Sequence, residues 1–369
     1  MNHTFWINDK DLDKEQGRAV QNIGIDESFL IRGPAGSGKT NILLLRAKRL
    51  VLKKLSNLKV IVFTSSLRDF VRLGCAQYGV PPEIATTGIR LFRDLLDEYG
   101  VSYSLTKDFE VDRNLLAGKA KALLDSHGIE NTFDSLLVDE AQDYTDTELL
   151  VLRKLTKRLV LVADTRQSIY KMTHTPGVLE QLVGDNVVNL KYHYRSGLHI
   201  CKVADGILKD SKNFPAIAAE SKYDEKSKPS SVVIVRCDGF DEQIAAILKK
   251  LGPQLNLYPT EHIGVLFPKK EQCVAFEKFL ADSSLVDKGR IWSDTLHGGK
   301  GWEFRAVHIG GCEALYRMGA TQKRLVYTGV LRAKTSVSLY YTGSVPGYLD
   351  SAVALLSPPP DDTELSDLF

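Results

Sequence analysis

Short apolar runs alternate with longer amphipathic stretches along most of this chain. Runs rich in β-branched residues predict strands at residues 29–32, 60–64, 135–139, 159–163 and 187–190, and again at 231–236, 262–267, 306–310 and 336–341. Between these runs apolar residues recur at helical spacing, as in Ile42, Leu43, Leu45 and Leu50. This alternation predicts an α/β fold in which parallel sheets are flanked by helices.

The two sets of strands predict two domains joined near Lys191. We assign residues 1–190 to the first domain and 191–352 to the second, with a polar surface loop at 221–230 (SKYDEKSKPS). Residues 353–369 include a proline run followed by acidic residues, which is typical of a flexible tail. A short helical element is expected near residues 83–128.

Composition indicates a soluble globular protein. The chain has 369 residues, of which 43% are hydrophobic and 25% charged. No apolar run approaches the roughly 18 residues that a membrane span needs, and the polar N-terminus with Asp9 does not resemble a signal peptide. The five cysteines are scattered and form no CxxC pair, which favours reduced thiols in a cytoplasmic protein without a membrane partner.

Charge leaves the question of a polyanionic partner open. The formal net charge is only +2, yet basic residues cluster at 46–54 and 153–158. Each cluster is explained either by a solvated helix face or by contact with nucleic acid.

The strongest local signal is a phosphate-binding loop. Residues 33–40 read GPAGSGKT, follow a predicted strand and precede a predicted helix. Glycines let successive N–H groups point at phosphate oxygens, while the lysine reaches the β- and γ-phosphates and the threonine binds Mg²⁺. The predicted ATP-binding residues here are Gly33, Pro34, Ala35, Gly36, Ser37, Gly38, Lys39, Thr40 and Asn41.

A second acidic segment completes the predicted ATP site. Residues 136–143 read LLVDEAQD, a buried strand that ends in adjacent carboxylates. Asp139 is predicted to join Thr40 as a Mg²⁺ ligand, and Glu140 to orient and deprotonate the attacking water.

Further segments occur in the order that superfamily 1 helicases of the UvrD/Rep type show. They are 12–20 (LDKEQGRAV), 161–170 (LVADTRQSIY), 192–196 (YHYRS), 295–304 (TLHGGKGWEF) and 325–334 (LVYTGVLRAK). The resemblance spans about residues 12 to 341 and implies two tandem RecA-like P-loop domains that hydrolyse ATP with Mg²⁺ and act on single-stranded nucleic acid.

The resemblance also implies roles for single residues. Adenine would be recognised by Gln16 and stacked by Tyr194, and the ribose would be bound by Glu303. The γ-phosphate would be contacted by Gln167, by the arginine finger Arg195 and by Arg332. Nucleic acid would be contacted by Phe63, Thr64, Met172, Thr295 and His297, although a phenylalanine that ends a strand is equally well explained as a core residue.

Several departures from the family pattern bear on function. Only 100 positions separate Lys39 from Asp139, and another 100 separate Arg195 from Thr295, which leaves no room for the large inserted subdomains of the family. Met172 stands where a base-stacking tryptophan is usual.

The remaining departures lie in shorter segments. Asn41 stands where an arginine is common, and Leu331 stands where the last motif has a threonine. The segment 87–92 (TGIRLF) lacks the histidine of the family's corresponding segment.

Two functions remain open on the sequence. The first is a single-strand translocase or helicase, acting as a monomer on DNA with 3′ to 5′ polarity, in DNA repair, recombination or phage defence. The second is a nucleotide-driven protein switch, or an ATPase subunit of a larger complex without unwinding activity. The last residues, 364–369 (ELSDLF), resemble peptides that bind the sliding clamp, with Glu364 where glutamine is preferred, and they are also explained as a solvating tail.

Overall fold

The computed structural model describes residues 6–55, 57–164, 175–209, 215–318 and 322–356. The chain divides into two compact units, Met1–Lys191 and Tyr192–Phe369. This division falls one residue after the boundary expected from the sequence.

The first unit is built on a six-stranded parallel sheet in the order β3-β2-β4-β5-β1-β6. Its strands are β1 (Phe29–Arg32), β2 (Leu58–Val62), β3 (Ala85–Thr87), β4 (Phe133–Val138), β5 (Thr156–Ala163) and β6 (Val187–Asn189). Its helices are α1 (Lys14–Gly17), α2 (Lys39–Leu52), α3 (Ser65–Tyr78), α4 (Gly88–Glu98), α5 (Phe109–His127), α6 (Asp146–Lys154) and α7 (Val178–Gln181).

Both faces of this sheet are covered, which explains why its strands are almost continuously apolar. Along β2 the side chains alternate between two cores: Val60 and Val62 pack in one with residues of α2 and α3, and Ile61 packs in the other with residues of α4, α5 and α6. Because the strands are parallel, their carboxyl ends lie at the same end of the sheet, where the loops after β1, β4 and β5 begin.

The second unit is built on a five-stranded parallel sheet in the order β7-β11-β10-β8-β9. Its strands are β7 (Ser231–Cys237), β8 (Ile263–Phe267), β9 (Ile291–Thr295), β10 (Phe304–Ile309) and β11 (Ala333–Thr342). Its helices are α8 (Leu198–Ile207), α9 (Phe240–Leu257), α10 (Lys270–Asp282), α11 (Gln322–Val330) and α12 (Gly347–Ala354). Two RecA-like α/β domains are thus confirmed.

All nine predicted strands are present, with ends displaced by up to three residues, whereas β3 and β9 are not among the predicted strands. The first of these has only three residues, and the second reads IWSDT, too polar to stand out as a buried strand. Helix α12 ends at Ala354, two residues into the segment that the sequence assigns to the tail, and the tail itself stays a prediction. Residues 357–369 lie outside the described part of the chain.

Candidate functional site

The phosphate-binding loop connects β1 to α2, as the sequence predicts. Two of its glycines adopt left-handed backbone conformations, with φ of 70° at Gly36 and 83° at Gly38. A residue with a Cβ is strained there, so these two positions need glycine. Gly38 is the N-cap of α2, a helix of 14 residues, so the N-terminal N–H groups of α2 open directly onto the loop.

The side chain of Lys39 lies within this loop. Its Nζ donates to the carbonyl oxygens of Gly33 at 2.9 Å and Pro34 at 2.8 Å, and lies 3.8 Å from Oδ2 of Asp164. Ala35 and Ser37 of this loop are almost fully buried. The ammonium group therefore supplies positive charge where P-loops bind phosphate oxygens.

The two predicted Mg²⁺ ligands lie side by side although 99 residues separate them. The Thr40 hydroxyl donates to Oδ2 of Asp139 at 2.8 Å, and the backbone N–H of Glu140 donates to Oδ1 of Asp139 at 2.9 Å. Asp139 is buried directly after β4, whereas Glu140 adopts a left-handed conformation with φ of 52°. Such a conformation is unusual for a residue with a Cβ and is often found at functional sites.

Two residues that the sequence analysis did not single out support this pair. The Gln142 amide donates to Oε2 of Glu140, and its Oε1 accepts from the backbone N–H of Asp164 at 3.0 Å. Asp164 directly follows β5 and also lies beside Lys39. The sequence could have indicated both residues, because both belong to segments that resemble helicase motifs.

The electrostatics of the carboxylate pair suit a cation. The pKa of Asp139 is raised to about 6, first by burial and second by the neighbouring carboxylate of Glu140, while hydrogen bonds from Thr40 and from the backbone N–H of Glu140 oppose the rise. A buried carboxylate of this kind favours either a proton or a bound cation.

The described residues contain no group of three or more His, Cys, Asp or Glu side chains that could hold a metal ion. In nucleotide sites, Mg²⁺ takes one or two protein oxygen ligands and completes its shell with water and phosphate. Thr40 and Asp139 are thus a suitable donor set for Mg²⁺.

Two further predicted nucleotide contacts are engaged with the protein itself. Oε1 of Gln16 accepts from the N–H of Asp13 at 2.9 Å, and its Nε2 donates to the carbonyl of Ser37 at 2.9 Å. Oδ1 of Asn41 accepts from the Tyr78 hydroxyl at 2.7 Å and from the N–H of residue 7 at 3.3 Å. These bonds fasten the N-terminal segment to the phosphate-binding loop, and direct contact with nucleotide remains a prediction for both residues.

In the second unit, three predicted phosphate and ribose ligands come together. Arg195 forms an ion pair with Glu303 and donates to the carbonyl of Leu331 at 3.4 Å. Arg332 is buried, and its Nη1 donates to the carbonyl of Trp302 at 3.4 Å. Tyr194 is 38% exposed, enough to offer a ring face to a ligand.

Among the described residues, the predicted nucleic-acid contacts Thr64, Thr295 and His297 are half-buried, and Phe63 is buried. Thr295 ends β9, and its Oγ1 accepts from the N–H of Gly298 at 3.1 Å. His297 lies two residues later, and burial together with the charge of Lys300 lowers the pKa of its imidazole.

Phe63 does not lie open to a base. It is 8% exposed and packs in the core, which is the alternative that the sequence left open. Thr64 is the N-cap of α3, and its Oγ1 accepts from the N–H of Leu67 at 3.1 Å. Gln167 and Met172 lie outside the described residues, as does the C-terminal segment from Glu364 to Phe369.

Other predictions concern the whole chain. The five cysteines are all free and buried, as expected for reduced thiols. Within the described ranges, no helix combines the length and apolar character that crossing a membrane requires.

Comparison with known proteins agrees with the geometry. Residues 16–173, which include the phosphate-binding loop and both carboxylates, match a family model described as an AAA domain. A "Probable DNA helicase" of Mycoplasma pneumoniae (strain ATCC 29342 / M129 / Subtype 1) is 26% identical over 245 residues, a match that covers 60% of this chain and 45% of that protein. The chain thus spans about half the length of this curated relative. Two RecA-like sheets, a P-loop beside paired carboxylates and these similarities support a P-loop ATPase that resembles helicases of the UvrD/Rep type.

Proposed function

We propose that this protein couples Mg²⁺-dependent ATP hydrolysis to movement along single-stranded nucleic acid. We further propose that the track is DNA, that movement is 3′ to 5′, and that the protein acts as a cytoplasmic monomer in DNA repair, recombination or phage defence. The name of the Mycoplasma relative supports DNA over RNA, and the resemblance to UvrD/Rep-type helicases supports the polarity.

The observation that carries the proposal is the contact between Thr40 and Asp139, with Glu140 directly after it. Thr40 and Asp139 would hold Mg²⁺, which neutralises developing charge on the phosphates when bound. Glu140 would accept a proton from the attacking water, and Gln142 would fix the orientation of that carboxylate. Lys39 would neutralise phosphate oxygens from within the loop.

The remaining ligands are proposed from the motif resemblance and from their placement. Arg195 and Arg332 would stabilise charge on the transferred phosphoryl group, an effect that is worth about 10³-fold or more in rate. Glu303 would bind the ribose, Tyr194 would stack on adenine and Gln16 would recognise its edge. Gln167 is proposed as a γ-phosphate sensor on the resemblance alone.

A second candidate function is a nucleotide-driven switch, or an ATPase subunit, that acts on a protein partner without unwinding. The burial of Phe63 favours it, because a ring that is 8% exposed cannot stack on a base without rearrangement. Met172 in place of a stacking tryptophan points in the same direction.

Steady-state ATPase measurements separate the two functions. Turnover is measured without nucleic acid and with single-stranded DNA, duplex DNA and single-stranded RNA, with Lys39→Ala as the inactive control. Stimulation by one single-stranded polymer supports the motor and identifies its track, and strand displacement with both overhang polarities then tests direction. Measurable hydrolysis that no polymer stimulates contradicts the motor and favours the switch.

We also propose that residues 364–369 bind a sliding clamp through Leu368 and Phe369. Deletion of Glu364 to Phe369 is expected to abolish clamp pull-down while leaving ATP hydrolysis unchanged. Equal recovery of the clamp with the full chain and with the truncated chain contradicts this role.

A further inference from the structure

Arg113 is a buried arginine that none of the predicted motifs includes. It lies on α5, its side chain is fully buried, and it forms an ion pair with Glu148, whose side chain is 2% exposed. Nε of Arg113 donates to Oε1 of Glu148 at 3.2 Å, and its Nη2 donates to Oε2 of the same carboxylate. Its surroundings connect the exposed ring of Phe109 to the segment that follows Glu140.

On one side, the guanidinium packs against two phenylalanine rings. Its central carbon lies 4.9 Å from the ring centroid of Phe63 and 5.5 Å from that of Phe109. The two rings meet edge to face, with centroids 5.7 Å apart. Phe109 is 42% exposed, so it is the member of this group that an incoming ligand can reach.

On the other side, the guanidinium holds the end of the catalytic segment. Its Nη2 donates to the carbonyl oxygen of Asp143 at 2.7 Å, and Asp143 ends the short turn that begins directly after Glu140. Its carboxylate partner Glu148 also accepts from the N–H of Thr145 at 2.8 Å, closing the capping box of α6. One side chain therefore fixes the backbone immediately after the proposed general base.

Tyr144 provides a second contact between Phe63 and the segment that follows Glu140. The Tyr144 ring, next in sequence to Asp143, packs edge to face on Phe63 with centroids 5.4 Å apart. Gly88, which opens α4, lies so close to this ring that an added Cβ would come within 2.9 Å of it. The packing around Phe63 is thus tight, and displacement of Phe63 is transmitted to Tyr144 as well as to Arg113.

Stability alone does not explain the ion pair. Taking two charges out of water costs about as much as their attraction returns, and apolar replacements of buried pairs are often neutral or stabilising. The backbone at Glu140 is left-handed, a conformation that persists only when its surroundings hold it. A rigid link to the carbonyl of Asp143 meets that requirement.

We propose that Arg113 is a positioning residue that couples nucleic-acid contact at Phe109 to the orientation of Glu140. Displacement of the Phe109 and Phe63 rings moves the guanidinium, and the guanidinium moves the carbonyl of Asp143 and the turn that follows Glu140. This inference rests on the proposed function, since it requires hydrolysis that single strands stimulate.

The test compares two buried arginines of the first unit. Arg113→Lys keeps the positive charge beside Glu148 but loses the planar fork that reaches both Glu148 and the carbonyl of Asp143. Arg46→Lys is the matched control, because Arg46 is also buried, lies 5.2 Å from the ring of Phe29 and donates to the carbonyl of Ile23 at 2.8 Å. For each variant we measure melting temperature, the Kd for an oligo-dT strand, and ATP turnover with and without that strand.

The expected result is a separation of binding from stimulation. Arg113→Lys should bind the strand within about twofold of wild type, while its stimulation factor, the ratio of turnover with the strand to turnover without it, falls by at least about fivefold. Arg46→Lys should keep the stimulation factor of wild type even if its melting temperature is as low as that of Arg113→Lys. A stimulation factor equal in Arg113→Lys, Arg46→Lys and wild type overturns the inference.

A second variant guards against misfolding. Arg113→Met combined with Glu148→Gln removes both buried charges, and glutamine retains the acceptor that the capping box needs. Loss of stimulation in this folded double variant supports the coupling, and retained stimulation contradicts it. A wild-type protein that no strand stimulates instead removes the proposed function, an outcome distinct from failure of Arg113 alone.

Discussion

When neither Mg²⁺ nor ATP is bound, the ionised side chain of Asp139 is expected to destabilise the first unit. Replacing Asp139 should therefore stabilise that unit while abolishing hydrolysis. Burial, with the charge of Glu140 second, raises the pKa of Asp139 from 3.8 to about 6. At about 1.36 kcal/mol for each pKa unit, this rise amounts to about 3 kcal/mol of free energy that the ionised side chain costs the folded state. Asp139→Asn should therefore raise the free energy of unfolding by up to about 3 kcal/mol at pH 7.5.

The hydrogen bonds at the site do not cancel this gain. The asparagine oxygen can accept from the N–H of Glu140, and its amide can donate to the Thr40 hydroxyl, which rotates to accept. The folded pKa is raised, so the cost is fully present above pH 6 and disappears below pH 3.8. The difference between the variant and wild type should therefore shrink as pH is lowered through 6.

The assay is urea unfolding followed by the fluorescence of Trp6, which is buried in the first unit. The other two tryptophans, Trp292 and Trp302, are changed to phenylalanine in every protein compared. Mg²⁺ and ATP should stabilise the parent protein more than Asp139→Asn, because the variant lacks the charged Mg²⁺ ligand.

Asp125→Asn provides a control of opposite sign. Hydrogen bonds from Lys121 and Lys154 lower the pKa of Asp125 to about 2, so its removal should destabilise the protein at pH 7.5. An Asp139→Asn protein that is less stable than its parent at pH 7.5 refutes the reasoning. So does a gain that stays unchanged between pH 7.5 and 5.

Three further predictions concern single positions. Glu140→Gln should reduce turnover by about 10²-fold or more while ATP binding is retained, and hydrolysis at the wild-type rate would remove Glu140 as the general base. Burial lowers the pKa of His308 to about 3, so the stability that its neutral imidazole contributes is present above pH 6.5 and is lost as pH falls. The unfolding free energy of His308→Gln should therefore depend less on pH between 6.5 and 4.5 than that of wild type. A methyl group at Gly74 would overlap the Trp6 ring, so Gly74→Ala should destabilise the first unit by about 1–3 kcal/mol and expose Trp6 to a fluorescence quencher, whereas an unchanged emission spectrum and midpoint would contradict this packing.

The sequence by itself determined the elements and the chemistry whose signals are local. Apolar runs between turns predicted nine strands, because a buried parallel strand must be apolar along its whole length. The phosphate-binding loop was equally predictable, because its glycines meet a local requirement for positive φ at Gly36 and Gly38. The segment with Asp139 was readable because the carboxylates follow a buried strand directly.

Only the tertiary structure decided which distant side chains meet. Phe63 matches a family motif, yet Phe109 and Arg113 cover it from a helix that begins 46 residues later in the sequence. Asn41 follows the phosphate-binding loop directly, but its oxygen is engaged by Tyr78 from a different helix. Local patterns specify backbone conformation and burial, whereas contacts between residues far apart in sequence depend on how helices and sheets pack. The link from Phe109 through Arg113 to the catalytic segment is of this second kind.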